Sequence, residues 1–180
     1  MSSLETLKQQ LPDYARDLKI NLGTVLDPDR NDALSAAQIH CVALASAIAS
    51  RNPDIISAVH EQAEGILDAA HIEASKAAAA IMGMNNVYYR FIHLASNEDY
   101  GKMPAGLRMN VIGNPGIDKA DFELLSLAVS AINGCGLCID SHEKVLIKAG
   151  MTTQAIQSAV KIASVIHAVA LVVESEASFA

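Results

Sequence analysis

The sequence is poor in aromatic residues, in basic clusters and in long apolar runs, and the last two shortages each disfavour a class of protein. Aromatic residues make up 4% of the chain, tryptophan is absent, and the net charge at pH 7 is −7. An acidic chain without a basic cluster is not expected to bind nucleic acid or an anionic membrane. The longest apolar run near the C-terminus, 165–173, is far shorter than the roughly 20 residues of a membrane span. The N-terminus is polar and charged, which disfavours a secretory signal and predicts a cytoplasmic protein.

The residues that are abundant favour closely packed helices. Hydrophobic residues make up 51% of the chain, and alanine dominates them, whereas β-branched runs are rare outside the C-terminus. Helix-start signals recur along the chain, and no segment alternates in the manner of a strand. They predict a short first helix with a capping box at Ser2, then helices near 12–22, 35–50, 54–67, 68–93, 118–132, 135–149 and 153–173. We therefore predict an all-α fold in one domain, 1–180, with a loop-rich boundary near 97–118.

Two further patterns bear on assembly and on internal symmetry. The last helix is apolar nearly all round, so we expect it to be buried and to contribute to a homo-oligomeric interface. The segments 45–48 and 129–132 are similar, and each precedes a His-Glu pair, His60-Glu61 or His142-Glu143. A duplicated helical core would explain the match, although alanine-rich helices also resemble one another by chance.

The chemistry is concentrated in 132–142, which contains a Cys-x-x-Cys pair followed by a histidine. In a helix that turns about 100° per residue, Cys138 lies about 60° around from Cys135, and His142 falls between them. This arrangement suits thiol–disulfide exchange, because one thiolate attacks, the second thiol resolves and the imidazole carries a proton. The first turn of a helix also favours a thiolate.

Glu123 is the expected partner of this histidine. Asn133-Gly134 predicts a tight turn, after which the helix of 135–149 runs antiparallel to the helix before it. Glu123 then lies at about the height of His142, on the inward face of its helix. Its carboxylate could orient the imidazole, which could in turn deprotonate a cysteine.

Other interpretations of the motif stay open. Cys135, Cys138 and His142 could hold structural zinc in an interaction module, with a fourth ligand from Cys41, His40 or a neighbouring subunit. The cysteines could also be buried bystanders. A thioredoxin is disfavoured because no strand precedes the motif.

The remaining cysteine and histidines have simpler interpretations. Cys41 is expected to be a small buried hydrophobe in an alanine-rich helix. His167, in the apolar last helix, is expected to be a satisfied core residue. Surface or capping positions are expected for His40, His60, His71 and His93. Spacing alone assigns no chemistry to a polar set near the loop region: Asn85, Asn86, Arg90, Arg108 and Asn110.

The spacing of Glu123, Cys135, Cys138 and His142 resembles the active-site signature of the AhpD alkyl hydroperoxidases, within the carboxymuconolactone decarboxylase-like superfamily. The resemblance extends over nearly the whole chain, through the segments 11–19, 80–90, 106–110, 114–117 and 130–135. One position departs from the pattern, because Leu137 stands where some members carry a histidine between the cysteines.

The resemblance implies an all-helical homotrimer with a duplicated core and an antioxidant role. Electrons would come from dihydrolipoamide on a lipoylated 2-oxo-acid dehydrogenase component and pass to the peroxiredoxin AhpC or to a small peroxide, without any cofactor in the protein itself. Cys138 would be the nucleophile, Cys135 the proton donor and resolving thiol, and Glu123 and His142 the proton relay. A decarboxylase-like activity of the same superfamily is disfavoured, since that chemistry needs no redox pair.

Overall fold

The regular elements are helical throughout residues 3–179, the part of the chain that the computed structural model describes. The α-helices are α1 (Ser3–Gln10), α2 (Arg16–Val25), α3 (Ala36–Ser50), α4 (Pro53–Gln62), α5 (Ala69–Leu94), α6 (Asp99–Lys102), α7 (Lys119–Ile132), α8 (Gly136–Lys148) and α9 (Thr153–Phe179). Short 3-10 turns lie at Asp13–Ala15 and Asn110–Ile112. The predicted all-α fold class is confirmed.

Side-chain caps start the helices where the sequence predicts them. Ser35 forms a capping box, in which its Oγ accepts from the Gln38 N–H at 3.2 Å and its own N–H donates to the Gln38 side chain at 2.9 Å. The side chains of Asn52, Asp68 and Asp118 accept bonds from the first turns of α4, α5 and α7. The capping box predicted at Ser2 lies outside the described residues.

Three helix boundaries differ from the prediction. Pro12 precedes a 3-10 turn instead of starting α2, because its carbonyl accepts the Ala15 N–H at 2.9 Å. Helix α4 ends at Gln62, since the chain turns through Gly65 at a φ of 78°, a left-handed conformation that favours glycine. Helix α9 continues beyond 173 to Phe179.

Helices α3 and α7 form the centre of the molecule. Each packs against α5, against α9 and against the other. On α3, Ala43, Ala45 and Ala47 are at most 1% exposed, and such small side chains let neighbouring helices approach closely. Helix α8 packs on α7 and α5, so its N-terminal end rests on this central layer.

Helix α9 is buried on one side only. By length and composition alone it could cross a membrane, but 56% of its most apolar window is buried inside the fold, as in the core helix of a soluble protein. Leu171 on its outer side is 66% exposed. His167 was predicted to be a core residue, but it is exposed. It lies at the edge of the contact between α9 and α3, where its Nδ1 is 3.2 Å from Ser50 Oγ.

His40 differs from its prediction in the opposite direction. It is 4% exposed, because it lies on α3 and other helices surround α3. Its Nδ1 lies 2.8 Å from the Ala36 carbonyl oxygen, so the preceding turn satisfies the ring. His60 and His93 are exposed as predicted, and His71 contacts the Asp68 cap of α5.

The N-terminal helix pair α3–α4 lacks the chemistry of the α7–α8 pair. Asn52 caps α4 as the first cysteine of the motif caps α8. Counted from these caps, Ile55 corresponds to Cys138 and Val59 to His142, and both N-terminal residues are buried hydrocarbons. The two His-Glu pairs are therefore out of register by one residue, and a duplicated core stays a prediction.

Candidate active site

The α7–α8 turn determines where the two cysteines lie. Gly134 has a φ of 67°, which a glycine adopts without strain, and the Cys135 N–H donates to the Ser130 carbonyl at 3.1 Å. Cys135 consequently has extended backbone and is the N-cap of α8. The sequence predicted it one position further in, within the first turn.

The two cysteines are bonded to each other in this structure, which therefore represents the oxidised form. Their Cα atoms are 5.3 Å apart, and Cys135 Sγ also accepts the Cys138 N–H at 3.3 Å. Cys135 is completely buried, whereas Cys138 is 6% exposed. When the pair is reduced, the N-terminal end of α8 favours a thiolate on Cys138.

Glu123 and His142 form a close pair across the α7–α8 hairpin. His142 Nδ1 lies 2.6 Å from Glu123 Oε2, and their side chains are 12% and 7% exposed. The antiparallel return predicted from the turn thus brings carboxylate and imidazole together. With Nδ1 held by the carboxylate, the other ring nitrogen is available to exchange a proton.

A cleft of about 450 Å³ opens over this pair, beside Cys138. Its lining is mostly apolar, with a few polar groups: Asn85, Tyr89, Met109, Ile112, Glu123, Leu137, Cys138, Ser141, His142 and Val145. Cys135 is not part of the lining. The sulfur of Cys138 is consequently the one that a small molecule in the cleft meets first.

Helix α5 holds the α7–α8 turn from behind through a chain of hydrogen bonds. Asn133 Nδ2 donates to Asn86 Oδ1 at 2.9 Å, and Asn86 Nδ2 donates to Ser130 Oγ at 2.8 Å. Arg90 Nη1 donates to the Asn133 carbonyl oxygen at 2.6 Å. No local pattern of residues indicates this network, because the partners are 43 to 47 residues apart.

Other residues that the sequence singled out are not among those that line the cleft. Arg108 and Asn110 are exposed in the loop region. Cys41 is buried on α3, where burial raises the pKa of its thiol to about 11. Within residues 3–179, no group of three or more His, Cys, Asp or Glu side chains is placed to hold a metal ion.

Comparison with known proteins finds a family match, which covers the candidate site, and relatives that align over nearly the whole chain. Residues 98–177, which contain the four candidate residues, match the carboxymuconolactone decarboxylase family. The chain is 56% identical over 176 residues to the alkyl hydroperoxide reductase AhpD of Rhodospirillum centenum, which covers 98% of this chain and 93% of that protein. It is 54% identical to the AhpD of Rhodopseudomonas palustris strain BisA53, over 98% of this chain and 96% of that one.

A third relative, the AhpD of Brucella canis, is 56% identical over 173 residues, which are 96% of this chain and 97% of the relative. This chain belongs to the AhpD family. The resemblance inferred from its motifs is thereby confirmed. Because these AhpD relatives align over nearly their full length, the helical core and the hairpin that carries the cysteines belong to one continuous family match.

Proposed function

We propose that this AhpD-family protein is an antioxidant dithiol/disulfide oxidoreductase that reduces alkyl hydroperoxides, regenerates an oxidised peroxiredoxin, or does both. One observation carries the proposal. Cys138 lines a cleft, its partner cysteine is buried directly behind it, and a hydrogen-bonded Glu123–His142 pair lines the same cleft. A nucleophile, a resolving thiol and a proton carrier are the three parts that thiol-based peroxide reduction needs.

In the peroxide reaction, His142 takes the proton of the reduced Cys138, and Glu123 stabilises the resulting imidazolium. The thiolate attacks the terminal oxygen of the hydroperoxide, which leaves a sulfenic acid on Cys138 and releases an alcohol. Cys135 then condenses with the sulfenic acid, so that water departs and the disulfide forms. Cys135 caps α8 and Cys138 lies in its first turn, so this step needs no large movement of the chain.

With a peroxiredoxin such as AhpC as substrate, the first step is an attack on its disulfide. Cys138 forms a mixed disulfide, and Cys135 resolves it and releases the reduced partner. In both cases dihydrolipoyl groups, carried on a 2-oxo-acid dehydrogenase component, return the electrons to the Cys135–Cys138 disulfide. The protein needs no bound cofactor or metal for these steps.

The proposal extends to a cytoplasmic homotrimer. Val87, Phe91 and Leu94 form one exposed apolar stripe along α5 at 62%, 50% and 72% exposure, and Leu171 on α9 is 66% exposed. Exposed apolar stripes of this kind are typical of contact surfaces. Light scattering at micromolar concentration should return about three times the 19.0 kDa chain mass, and a monomer would contradict the assignment.

A coupled assay with dihydrolipoamide and tert-butyl hydroperoxide, with and without a peroxiredoxin, tests the catalytic proposal. Cys138→Ser should abolish turnover, and Cys41→Ala, the matched control at the remaining cysteine, should leave it unchanged. After mild oxidation, mass spectrometry should locate a loss of two hydrogens in the peptide with Cys135 and Cys138. If both thiols still alkylate fully, or if the purified protein holds one zinc per chain and does not turn over, the proposal fails.

A further inference from the structure

Asn85 is a polar residue of the cleft that the proton relay does not use. It lies on α5, is 5% exposed and lines the same cleft as Cys138 and His142. Its Nδ2 is 3.8 Å from Met109 Sδ, and a thioether sulfur is a weak acceptor. Its Oδ1 is buried and has no hydrogen-bond partner among residues 3–179.

A buried amide oxygen without a partner is uncommon, because it costs free energy that a hydrogen bond would recover. The adjacent Asn86 shows the usual situation, with its Oδ1 and its Nδ2 both paired. Rotating the Asn85 amide by half a turn would bring its carbonyl to the Met109 sulfur, which has no hydrogen to donate, so the observed orientation is the favoured one and the carbonyl is the unpaired end. Asn85 lines the cleft of about 450 Å³, so a ligand in that cleft lies against this side chain.

We propose that Asn85 binds the hydroperoxide group of the substrate, an inference that rests on the peroxide-reducing function proposed above. Its carbonyl accepts the O–H of R–O–O–H, while the alkyl group R lies on the apolar part of the cleft, formed by residues such as Met109, Ile112 and Val145. The bond holds the terminal peroxide oxygen next to Cys138. The chemistry of the cleft thus selects an alkyl hydroperoxide, with an O–H to donate and a hydrocarbon to bury.

The reaction balances with Asn85 in this role. As the S–O bond to Cys138 forms, the O–O bond breaks, and the alkoxide that leaves takes a proton from the His142 imidazolium to become an alcohol. Sulfur is oxidised to the sulfenic acid, and the peroxide is reduced. The O–H that Asn85 holds stays on the terminal oxygen throughout and becomes the sulfenic hydroxyl.

The test uses the reduced full-length protein and the variants Asn85→Leu, which keeps the branched shape without polar atoms, and Asn85→Ala. Ser46→Ala is the matched control, because Ser46 also carries a buried hydroxyl with no partner within the described residues but lies outside the cleft lining. Three rates are measured: oxidation by tert-butyl hydroperoxide, alkylation of Cys138 by iodoacetamide across pH, and re-reduction of the disulfide by dihydrolipoamide. Loss of one hydrogen bond should slow oxidation about tenfold in both Asn85 variants. The alkylation profile and the re-reduction rate should not change, and Ser46→Ala should match the wild type in all three.

Each other outcome contradicts the inference. Oxidation within twofold of the wild type would show that Asn85 does not bind the peroxide, while the proposed function would stand. If alkylation of Cys138 slows as much as oxidation does, Asn85 acts on the thiolate and not on the peroxide. If only re-reduction slows, Asn85 acts on the reaction with dihydrolipoamide. If the Leu variant does not fold, the Ala variant decides. A wild-type protein that no alkyl hydroperoxide oxidises would refute peroxide reduction itself, and this inference with it.

Discussion

The Glu123–His142 pair gives a quantitative prediction about proton transfer. The 2.6 Å contact joins two side chains that are 7% and 12% exposed, so water competes weakly for it. A hydrogen bond to a charged group contributes about 1.5–3 kcal/mol, and about 1.4 kcal/mol corresponds to a factor of ten in rate. Glu123→Gln keeps the shape but removes the charge, so it should slow peroxide reduction roughly 10- to 100-fold. His142→Gln removes the proton carrier and should cost about 10²–10⁴-fold.

The effects of Glu123→Gln and His142→Gln on the rate should not multiply in the double variant. Glu123 acts through His142, so the double variant should be no slower than His142→Gln alone. Glu143→Gln is the matched control, because Glu143 is the next residue on α8 and is exposed. It should react at the wild-type rate.

The assay is the stopped-flow oxidation of reduced protein at pH 7 and at pH 9. At the higher pH the relay variants should recover part of their rate, because the Cys138 thiol then loses its proton to the solvent without help from the relay. Near-normal rates of both relay variants at pH 7 would refute the reasoning, and Cys138 would owe its reactivity to the N-terminal end of α8 alone. A double variant that is slower by the product of the two single effects would show that the residues act independently.

Two further predictions concern the rest of the molecule. Because burial raises the pKa of Cys41 to about 11, its thiol should resist iodoacetamide at pH 8 in the reduced native protein and react only in denaturant, and native alkylation at a normal rate would contradict its burial. Because of this raised pKa, the Cys41 thiol ionises at a lower pH in the unfolded chain than in the folded protein. The stability of the wild type to urea should therefore fall as the pH rises above about 9. The stability of Cys41→Ala should fall less. Asn52 accepts the Ile55 N–H at 3.1 Å and donates to Glu174 Oε2 at 2.7 Å, so Asn52→Ala should lower the free energy of unfolding by about 2 kcal/mol, measured by urea denaturation. Asn52→Asp keeps the cap but replaces the donor to Glu174 with a second carboxylate. Because two carboxylates would then face each other, its free energy of unfolding should be lower than that of the alanine variant. A higher value would show that the bond to α9 contributes little.

Local patterns in the sequence predicted the positions of the long helices and the α7–α8 hairpin, although some helix ends differ. A cap such as Ser35 or Asp118 acts within three residues of itself, so its signal is contained in a short stretch of chain. The Asn133-Gly134 turn likewise predicts that the next helix returns antiparallel, and that return alone brings Glu123 level with His142. The cysteine spacing, read with the family resemblance, therefore pointed to the hairpin that carries the candidate site.

The tertiary structure decided what lies around that hairpin. Cys135 is buried while Cys138 lines a cleft, because α5 packs across α7 and α8. Asn85 lines the same cleft, and its buried side-chain oxygen has no partner in the described part of the chain. His40 is buried where a surface position was expected, and His167 is exposed where a core position was expected. In both cases the packing of other helices decides. The burial of a side chain depends on which other helices cover its face of the helix. Because those helices are distant in the sequence, the local pattern that predicts a helix does not predict which of its faces is covered.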